Sequence, residues 1–198
     1  MARIKPLDVD ELDPMLTPAV DAYLKRGGHV ANSFRTMARR PKVAKAYDDL
    51  RNALMDSLTI SKTLRNLMFH IMSYEAGCQY CQAHSISSIA NDPDVSAEKL
   101  EALWDYDNSP HFTDAERAAL RFAQASASVP NAVSDGDFDE LRKFYSDDQI
   151  VEIVSVLSVG AFINRWNDTM GSELEEKPRA VAENLLGSKG WSVGKHAG

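Results

Sequence analysis

The two cysteines of this chain, Cys78 and Cys81, lie three residues apart, and His84 follows three residues after the second. We expect Gly77 to end one helix and Cys78 to begin the next. Both thiols then lie in a first helical turn, where unpaired backbone N–H groups favour an anion. This setting predicts a lowered thiol pKa and therefore a nucleophilic thiolate.

The helical spacing indicates which thiol the histidine serves. Cys81 and His84 are at i,i+3 and are neighbours, whereas Cys78 and His84 point in different directions. Nearness to the helix N-terminus would instead favour Cys78 as the activated thiol. We give more weight to the adjacent base, because proton transfer requires contact.

A redox cycle follows from this assignment. The Cys81 thiolate attacks an electrophilic oxygen or sulfur and becomes a sulfenic acid or a mixed disulfide. Cys78 then resolves this species into an intramolecular disulfide, which an external dithiol must reduce.

Other uses of two cysteines are less well supported. A c-type haem site requires His directly after the second Cys, where this chain has Gln82. Structural zinc requires four N or S ligands, and no paired ligand knuckle is formed by the remaining histidines: His29, His70, His111 and His196. We therefore predict neither a metal nor a cofactor. The alternative that Cys78 and Cys81 are only small buried hydrophobic residues stays open, since free Cys is among the most buried residue types.

A base works best when a third group orients it, and two candidate relay residues lie near the motif. Glu75 is the nearest carboxylate in sequence, although it lies in the turn before Gly77, where a solvated side chain is the simpler interpretation. His70 lies in the preceding helix and, with Tyr74 four residues later, is placed to face the same crevice. A His satisfied by a local partner is the alternative for that position.

Composition limits the classes of function. The chain has 198 residues, 44% of them hydrophobic, and a net charge of -7, so we predict a globular protein that does not bind nucleic acid. The N-terminus has no apolar signal region and no run of 18 apolar residues occurs, which indicates neither export nor a membrane partner. We expect a cytoplasmic location, where a Cys-x-x-Cys is more plausibly catalytic than a structural disulfide.

Helical periodicity and helix-capping patterns recur along the whole chain, and they predict an all-α fold. We expect one compact multi-helix domain over residues 1–186, with the Cys-x-x-Cys at a helix N-terminus, and a flexible C-terminal tail over residues 187–198. Ser61, Thr113 and Ser146 are predicted N-caps. The stretch 150–163 is apolar nearly all round, which predicts a helix buried by neighbours on several sides or at a subunit interface.

The segment Ala76 to Ser85, Ala-Gly-Cys-Gln-Tyr-Cys-Gln-Ala-His-Ser, resembles the signature of the carboxymuconolactone decarboxylase and alkylhydroperoxidase D superfamily, especially its peroxidase-related branch. The resemblance extends to the upstream segment 28–41, with Gly-His-Val-Ala-Asn-Ser-Phe-Arg and a later Pro. It also extends downstream, to segments 113–123, 147–154 and 162–165.

The resemblance implies an all-α homo-oligomer, often a trimer or hexamer, that reduces hydroperoxides with thiols. It makes Cys81 the peroxide-attacking cysteine and Cys78 the resolving one. Many members place the relay His one position later, where this chain has Ser85. The family's relay Glu lies twelve residues before the first Cys, where this chain has Asn66, which cannot relay a proton as a carboxylate does.

Three functions remain open at this point. The leading one is a thiol-dependent peroxidase that takes a small hydroperoxide and an external dithiol or thiol-protein reductant. The second is a redox-sensing or oligomeric binding protein without efficient turnover, which the missing Glu at position 66 favours. The third is a lactone decarboxylase, which would need no thiol pair.

Overall fold

The computed structural model describes residues 2–198, without the side chains of residues 26, 27, 55 and 56, and this part of the chain contains helices and no strand. The all-α prediction is confirmed. The α-helices are α1 Thr17–Gly27, α2 Asn32–Met37, α3 Pro41–Ser57, α4 Lys62–Glu75, α5 Gln79–Ala90, α6 Ala97–Glu101, α7 Asp114–Ala127, α8 Asp135–Leu141, α9 Asp147–Met170 and α10 Glu176–Leu186. Short 3-10 helices span Val9–Glu11, Pro14–Leu16, Ala102–Asp105, Gly187–Lys189 and Gly194–His196.

Side-chain caps begin the helices where the sequence predicts them. The Ser61 hydroxyl accepts a hydrogen bond from a backbone N–H in the first turn of α4. Thr113 and Ser146 form capping boxes at the starts of α7 and α9. Each such cap contributes about 1 kcal/mol, because it satisfies a backbone N–H that has no partner inside the helix.

Helix α4 is central to the larger of two buried clusters and packs against α5, α7 and α9, while α5 also packs against α10. The close approach of α9 to α4 depends on Gly160. A Cβ atom at this position would lie 2.5 Å from Met72 Sδ and 3.0 Å from the Phe69 ring. This approach brings α9 against the helix pair that carries the thiol segment.

One side of α9 is not covered by the rest of the chain. Ile153 and Leu157 are buried in the core, whereas Val151 and Phe162 are 64% and 45% exposed. The predicted alternative in which neighbours within the same chain bury this helix on all sides is therefore wrong. The other predicted alternative, a subunit interface, stays a prediction.

Residues 187–198, for which the sequence predicts a flexible tail, contact the helical core in the structure. Trp191 packs against the main cluster, and its backbone N–H donates to the carbonyl of Leu186. His196 is fully buried, its Nδ1 lies 2.7 Å from the carbonyl oxygen of Ser172, and its own carbonyl accepts from Leu174. Apolar contacts and backbone hydrogen bonds thus hold the segment although its sequence shows little periodicity.

Across the described residues, no helix combines the length and the apolar character that crossing a bilayer would require.

Candidate active site

The thiol segment lies at the start of α5, as predicted. Gly77 has a left-handed φ of 69°, which reverses the chain after α4, and Cys78 then occupies the N-cap position of α5. The Cys78 sulfur accepts a hydrogen bond from the backbone N–H of Cys81 over 3.4 Å. Cys81 Sγ in turn accepts from Asn167 Nδ2 of α9, also over 3.4 Å. Both cysteines are free thiols and both are buried.

The predicted lowering of the thiol pKa is wrong for Cys81. Burial raises the pKa of Cys81 well above its ordinary value, and the hydrogen bond and charge of Cys78 act in the same direction. The hydrogen bond from Asn167 opposes this increase without overcoming it. Desolvation of the thiolate therefore outweighs the favourable field of the helix N-terminus, and Cys81 rests as a protonated thiol.

Cys81 faces a cavity of about 270 Å³, whereas Cys78 is not part of its wall. Side chains from five long helices and α2 form that wall, so the cavity exists only in the assembled bundle. The residues that line it are Tyr23, Ala31, Ser33, Tyr47, Arg51, Leu54, Arg65, Asn66, Phe69, Tyr80, Cys81, His84, Ser85, Ser88, Val156, Val159, Gly160, Ile163 and Asn167.

His84 lines the same cavity, but its hydrogen-bond partner is Glu175. His84 Nε2 lies 2.7 Å from Glu175 Oε2. Among the described residues, no hydrogen bond joins the imidazole to either thiol. The sequence predicts His84 beside Cys81; the structure places both in the wall of one cavity and adds a carboxylate that fixes the orientation of the ring.

Two further hydrogen bonds hold Glu175 in place. The Tyr80 hydroxyl donates to Glu175 Oε1 over 2.9 Å, and the backbone N–H of Asn32 donates to the same oxygen over 2.6 Å. Burial alone would raise the pKa of Glu175. The hydrogen bond and charge of His84, together with the Asn32 N–H, reverse that effect and lower the pKa to about 2. An ionised Glu175 accepts the Nε2 proton of His84, which leaves Nδ1 as the nitrogen that can act as a base.

The structure separates the other predicted relay residues from this pair. His70 is fully buried outside the cavity wall, with its Nδ1 2.8 Å from Ser85 Oγ, and burial lowers its pKa to about 4. Of the two alternatives predicted for His70, the structure therefore shows a histidine with a local hydrogen-bond partner and not a second base in the cavity. Glu75 is exposed and accepts hydrogen bonds from Gln124 and Ser128, away from the cavity. Neither contacts His84.

Asn66, at the family's relay position, does line the cavity. Its Nδ2 is buried without a hydrogen-bond partner in the described part of the chain. The carboxylate next to His84 therefore comes from position 175, not from position 66.

The sequence alone missed Glu175 and Asn167. Glu175 lies 91 residues after His84, at the N-cap of α10, and Asn167 lies 86 residues after Cys81. No local spacing links either residue to the thiol segment. Asn164 and Asn167, spaced i,i+3 near the end of α9, offered one signal, since amides on a shared buried helix face require polar partners.

Comparison with known proteins places this site in a family. Residues 41–125, from the start of α3 into α7, match the Carboxymuconolactone decarboxylase family. The crystal structure of the debrominase Bmp8 is 32% identical to the chain, with a TM-score of 0.84 over 92% of this chain and 97% of that one. The chain belongs to the carboxymuconolactone decarboxylase and alkylhydroperoxidase D-like superfamily.

Other members of the superfamily are more distant in sequence. The alkylhydroperoxidase AhpD core protein from Ralstonia eutropha JMP134, described as peroxidase-related, has a TM-score of 0.78 at 20% identity, over 89% of this chain and 94% of that one, which shows the shared fold. The protein YnjA of Escherichia coli K12 is 25% identical over 111 residues, which are 56% of this chain and 60% of YnjA. The two solved structures thus share one helical scaffold with the chain, and one of them is a debrominase.

Within residues 2–198, no three His, Cys, Asp or Glu side chains are grouped in a way that could hold a metal ion. The reactive groups that the structure brings together at the cavity are the Cys81 thiol and the His84–Glu175 pair.

Proposed function

We propose that this protein is a dithiol-dependent reductase that reduces a small organic hydroperoxide at Cys81 and cycles through a Cys78–Cys81 disulfide. The supporting observation is the position of Cys81, which lines a mainly apolar cavity together with His84, while Cys78 occupies the N-cap of α5 and does not line it. This arrangement favours Cys81 as the attacking sulfur and Cys78 as the resolving one.

The first half of the cycle begins with proton transfer. Nδ1 of His84, oriented by Glu175, takes the thiol proton of Cys81 as the substrate enters. The thiolate attacks the terminal oxygen of the hydroperoxide, so that an S–O bond forms and the O–O bond breaks. The alkoxide takes a proton and leaves as the alcohol, and Cys81 becomes a sulfenic acid.

The second half regenerates the thiols. The Cys78 sulfur attacks Cys81 and displaces hydroxide, which leaves as water, and a disulfide forms. An external dithiol or thiol protein then reduces the disulfide by exchange. The sum is one hydroperoxide and two thiols converted to one alcohol, one water and one disulfide.

A brominated aromatic ring is a second candidate substrate, favoured by the whole-chain similarity to a debrominase. A Bmp8 variant with one cysteine changed to alanine binds 2,3,4-tribromopyrrole, and this structure also has a TM-score of 0.84 with the chain. In the same site, the Cys81 thiolate would take bromine from carbon, the resulting carbanion would take a proton, and Cys78 would displace bromide to form the disulfide. The electron count is that of the peroxidase cycle.

The experiment is steady-state turnover with dithiothreitol as the reductant. Cumene hydroperoxide consumption and bromide release from 2,3,4-tribromopyrrole are measured for the wild type, Cys81→Ser and Cys78→Ser. We expect turnover of one substrate in the wild type and loss of turnover in both variants. Cys78→Ser should still form one equivalent of Cys81 sulfenic acid with the hydroperoxide, trapped by dimedone and located by mass spectrometry.

The other outcomes separate the alternatives. Stoichiometric oxidation of the wild type without turnover would contradict the reductase and support a redox sensor. Activity that survives both substitutions would exclude thiol chemistry and leave the lactone decarboxylase.

We also propose that the protein is a homo-oligomer, a trimer or hexamer, because α9 leaves Val151 and Phe162 exposed. Sedimentation equilibrium tests this, and a monomer at micromolar concentration would contradict it.

A further inference from the structure

Part of the cavity wall has no role in the thiol chemistry described above. Arg51 of α3 and Arg65 and Asn66 of α4 all line the cavity. Each carries a buried N–H group without a hydrogen-bond partner in the described part of the chain: Arg51 Nη1, Arg65 Nε and Asn66 Nδ2. A buried donor that stays unpaired costs free energy, so three in one cavity indicate a missing acceptor.

The charges in this region do not cancel. Arg51 Nη1 lies 3.9 Å from Asp48 Oδ1, too far for a hydrogen bond, and the other Asp48 oxygen accepts from Asn52. Arg65 forms no ion pair with any described carboxylate. Its burial and the nearby charge of Arg51 both lower its pKa, which shows that the two guanidinium groups repel each other. Among the described carboxylates, Asp48 alone forms an ion pair with either guanidinium, so one of the two positive charges has no partner.

The cationic wall and the reactive thiol belong to the same cavity. Tyr47 lies close enough to both Arg51 and Cys81 for each to shift the pKa of its phenol, Arg51 downward and Cys81 upward. Phe69 and Val156 supply apolar wall. A volume of about 270 Å³ holds roughly nine non-hydrogen atoms, taking ≈ 30 Å³ for each as for a water molecule. This is the size of benzoate.

We propose that Arg51, Arg65 and Asn66 bind the anionic group of a small organic acid, whose apolar body extends toward Cys81. The preferred substrate class is therefore an amphipathic carboxylate or a similar acid, and a neutral hydroperoxide would react without using these three contacts. The proposal rests on the reductase function for its chemistry, but binding of the anion requires no turnover.

The test measures binding by calorimetry at pH 7 with the reduced protein, using benzoate and its neutral analogue benzamide. We expect benzoate to bind at least ten-fold more tightly than benzamide. Arg65→Met should weaken benzoate binding about ten- to a hundred-fold, the range for a lost hydrogen bond to a charged group, and leave benzamide unchanged. Arg65 is preferred to Arg51 because its loss leaves no buried carboxylate without a partner.

Two further variants act as controls. Arg65→Lys keeps the charge and should retain most of the benzoate affinity, whereas Arg142→Met removes an exposed guanidinium and should change nothing. Benzoate should also slow alkylation of Cys81 by iodoacetamide, which locates the anion in this cavity.

Equal affinities for benzoate and benzamide, no binding of benzoate, or benzoate binding that is unchanged in Arg65→Met would each overturn the anion site. These results would leave hydroperoxide turnover untouched. Conversely, benzoate binding that depends on Arg65 in a protein without reductase activity would support the anion site and contradict only the proposed reaction.

Discussion

Glu175 is the residue by which the proposed role of His84 can be tested most directly. Glu175→Gln keeps the size of the side chain and an oxygen that can accept from Asn32 N–H and Tyr80. The amide NH₂ would then face His84 Nε2, 2.7 Å away in the present geometry. Because an amide nitrogen donates, the imidazole would have to accept at Nε2 and carry its proton on Nδ1. That tautomer cannot take a proton from Cys81.

The magnitude follows from the carboxylate. The pKa of Glu175 falls from an ordinary value of 4.5 to about 2, and each pKa unit corresponds to about 1.36 kcal/mol. The ionised form is thus favoured by roughly 3 kcal/mol, with His84 as the largest favourable contributor. We expect loss of the Glu175–His84 interaction in Glu175→Gln to slow the thiol-oxidation step by about two orders of magnitude, because this interaction orients the proposed base.

The assay is stopped-flow fluorescence of a single turnover, in which the reduced protein is mixed with cumene hydroperoxide at pH 7. Glu176→Gln is the matched control, since Glu176 is the next residue and is exposed. We expect the rate constant to fall about a hundred-fold in Glu175→Gln and to stay within two-fold in the control. A Glu175→Gln rate constant within two- to three-fold of the wild type would refute the assignment of His84 as the base.

Three other predictions follow from the same structure. Asn167→Leu removes the hydrogen bond that Asn167 Nδ2 donates to the Cys81 sulfur, worth about 1 kcal/mol, and should raise the Cys81 pKa further; an unchanged pH profile of iodoacetamide alkylation would contradict this. Burial lowers the pKa of His70 in the folded state to about 4, from an ordinary value of 6.5. As the pH drops, the unfolded state therefore binds a proton before the folded state does, and the free energy of unfolding falls between pH 6.5 and pH 4. Urea denaturation should give a free energy of unfolding about 2–3 kcal/mol lower at pH 4.5 than at pH 7 because of this group. The His70→Gln variant should lack this contribution. Gly160→Ala should destabilise the fold by roughly 1 kcal/mol net, because overpacking outweighs the gain in helix propensity. In a Met72→Ala background the same substitution should destabilise the fold less. An equal destabilisation in both backgrounds would exclude the Met72 contact as its cause.

Local signals in the sequence were sufficient for much of the fold. Ser61, Thr113 and Ser146 cap helices where their hydroxyls and the following residues predict, because capping depends on a few neighbouring residues. The position of Cys78 at the start of α5 follows in the same way from Gly77.

The candidate site was predictable only in part, because its decisive contacts join distant segments. His84 could be paired with Cys81 by helical spacing, but its partner Glu175 reaches it from the N-cap of α10. The packing of residues 187–198 depends likewise on a Trp191 contact with a core that forms only in the complete bundle.

The pKa of Cys81 shows why local reasoning failed on electrostatics. A position in the first helical turn predicts stabilisation of a thiolate, and the effect of a helix N-terminus is typically below about 1 kcal/mol. Removing the thiolate from water costs more, and this cost is set by α9 and the cavity wall, not by the residues around the motif. The sign of the pKa shift was therefore a property of the whole bundle.

A thiol with a raised pKa suits a buried reductase better than a permanently ionised one. A free thiolate at the surface would react with any oxidant in solution, whereas in the proposed cycle Cys81 ionises only when His84 in the same cavity accepts its proton. The cationic wall formed by Arg51 and Arg65 adds a second condition, since an anionic substrate would neutralise the charge that the chain leaves unpaired. The cavity, and not the intrinsic reactivity of the Cys81 sulfur, would then decide which substrates react.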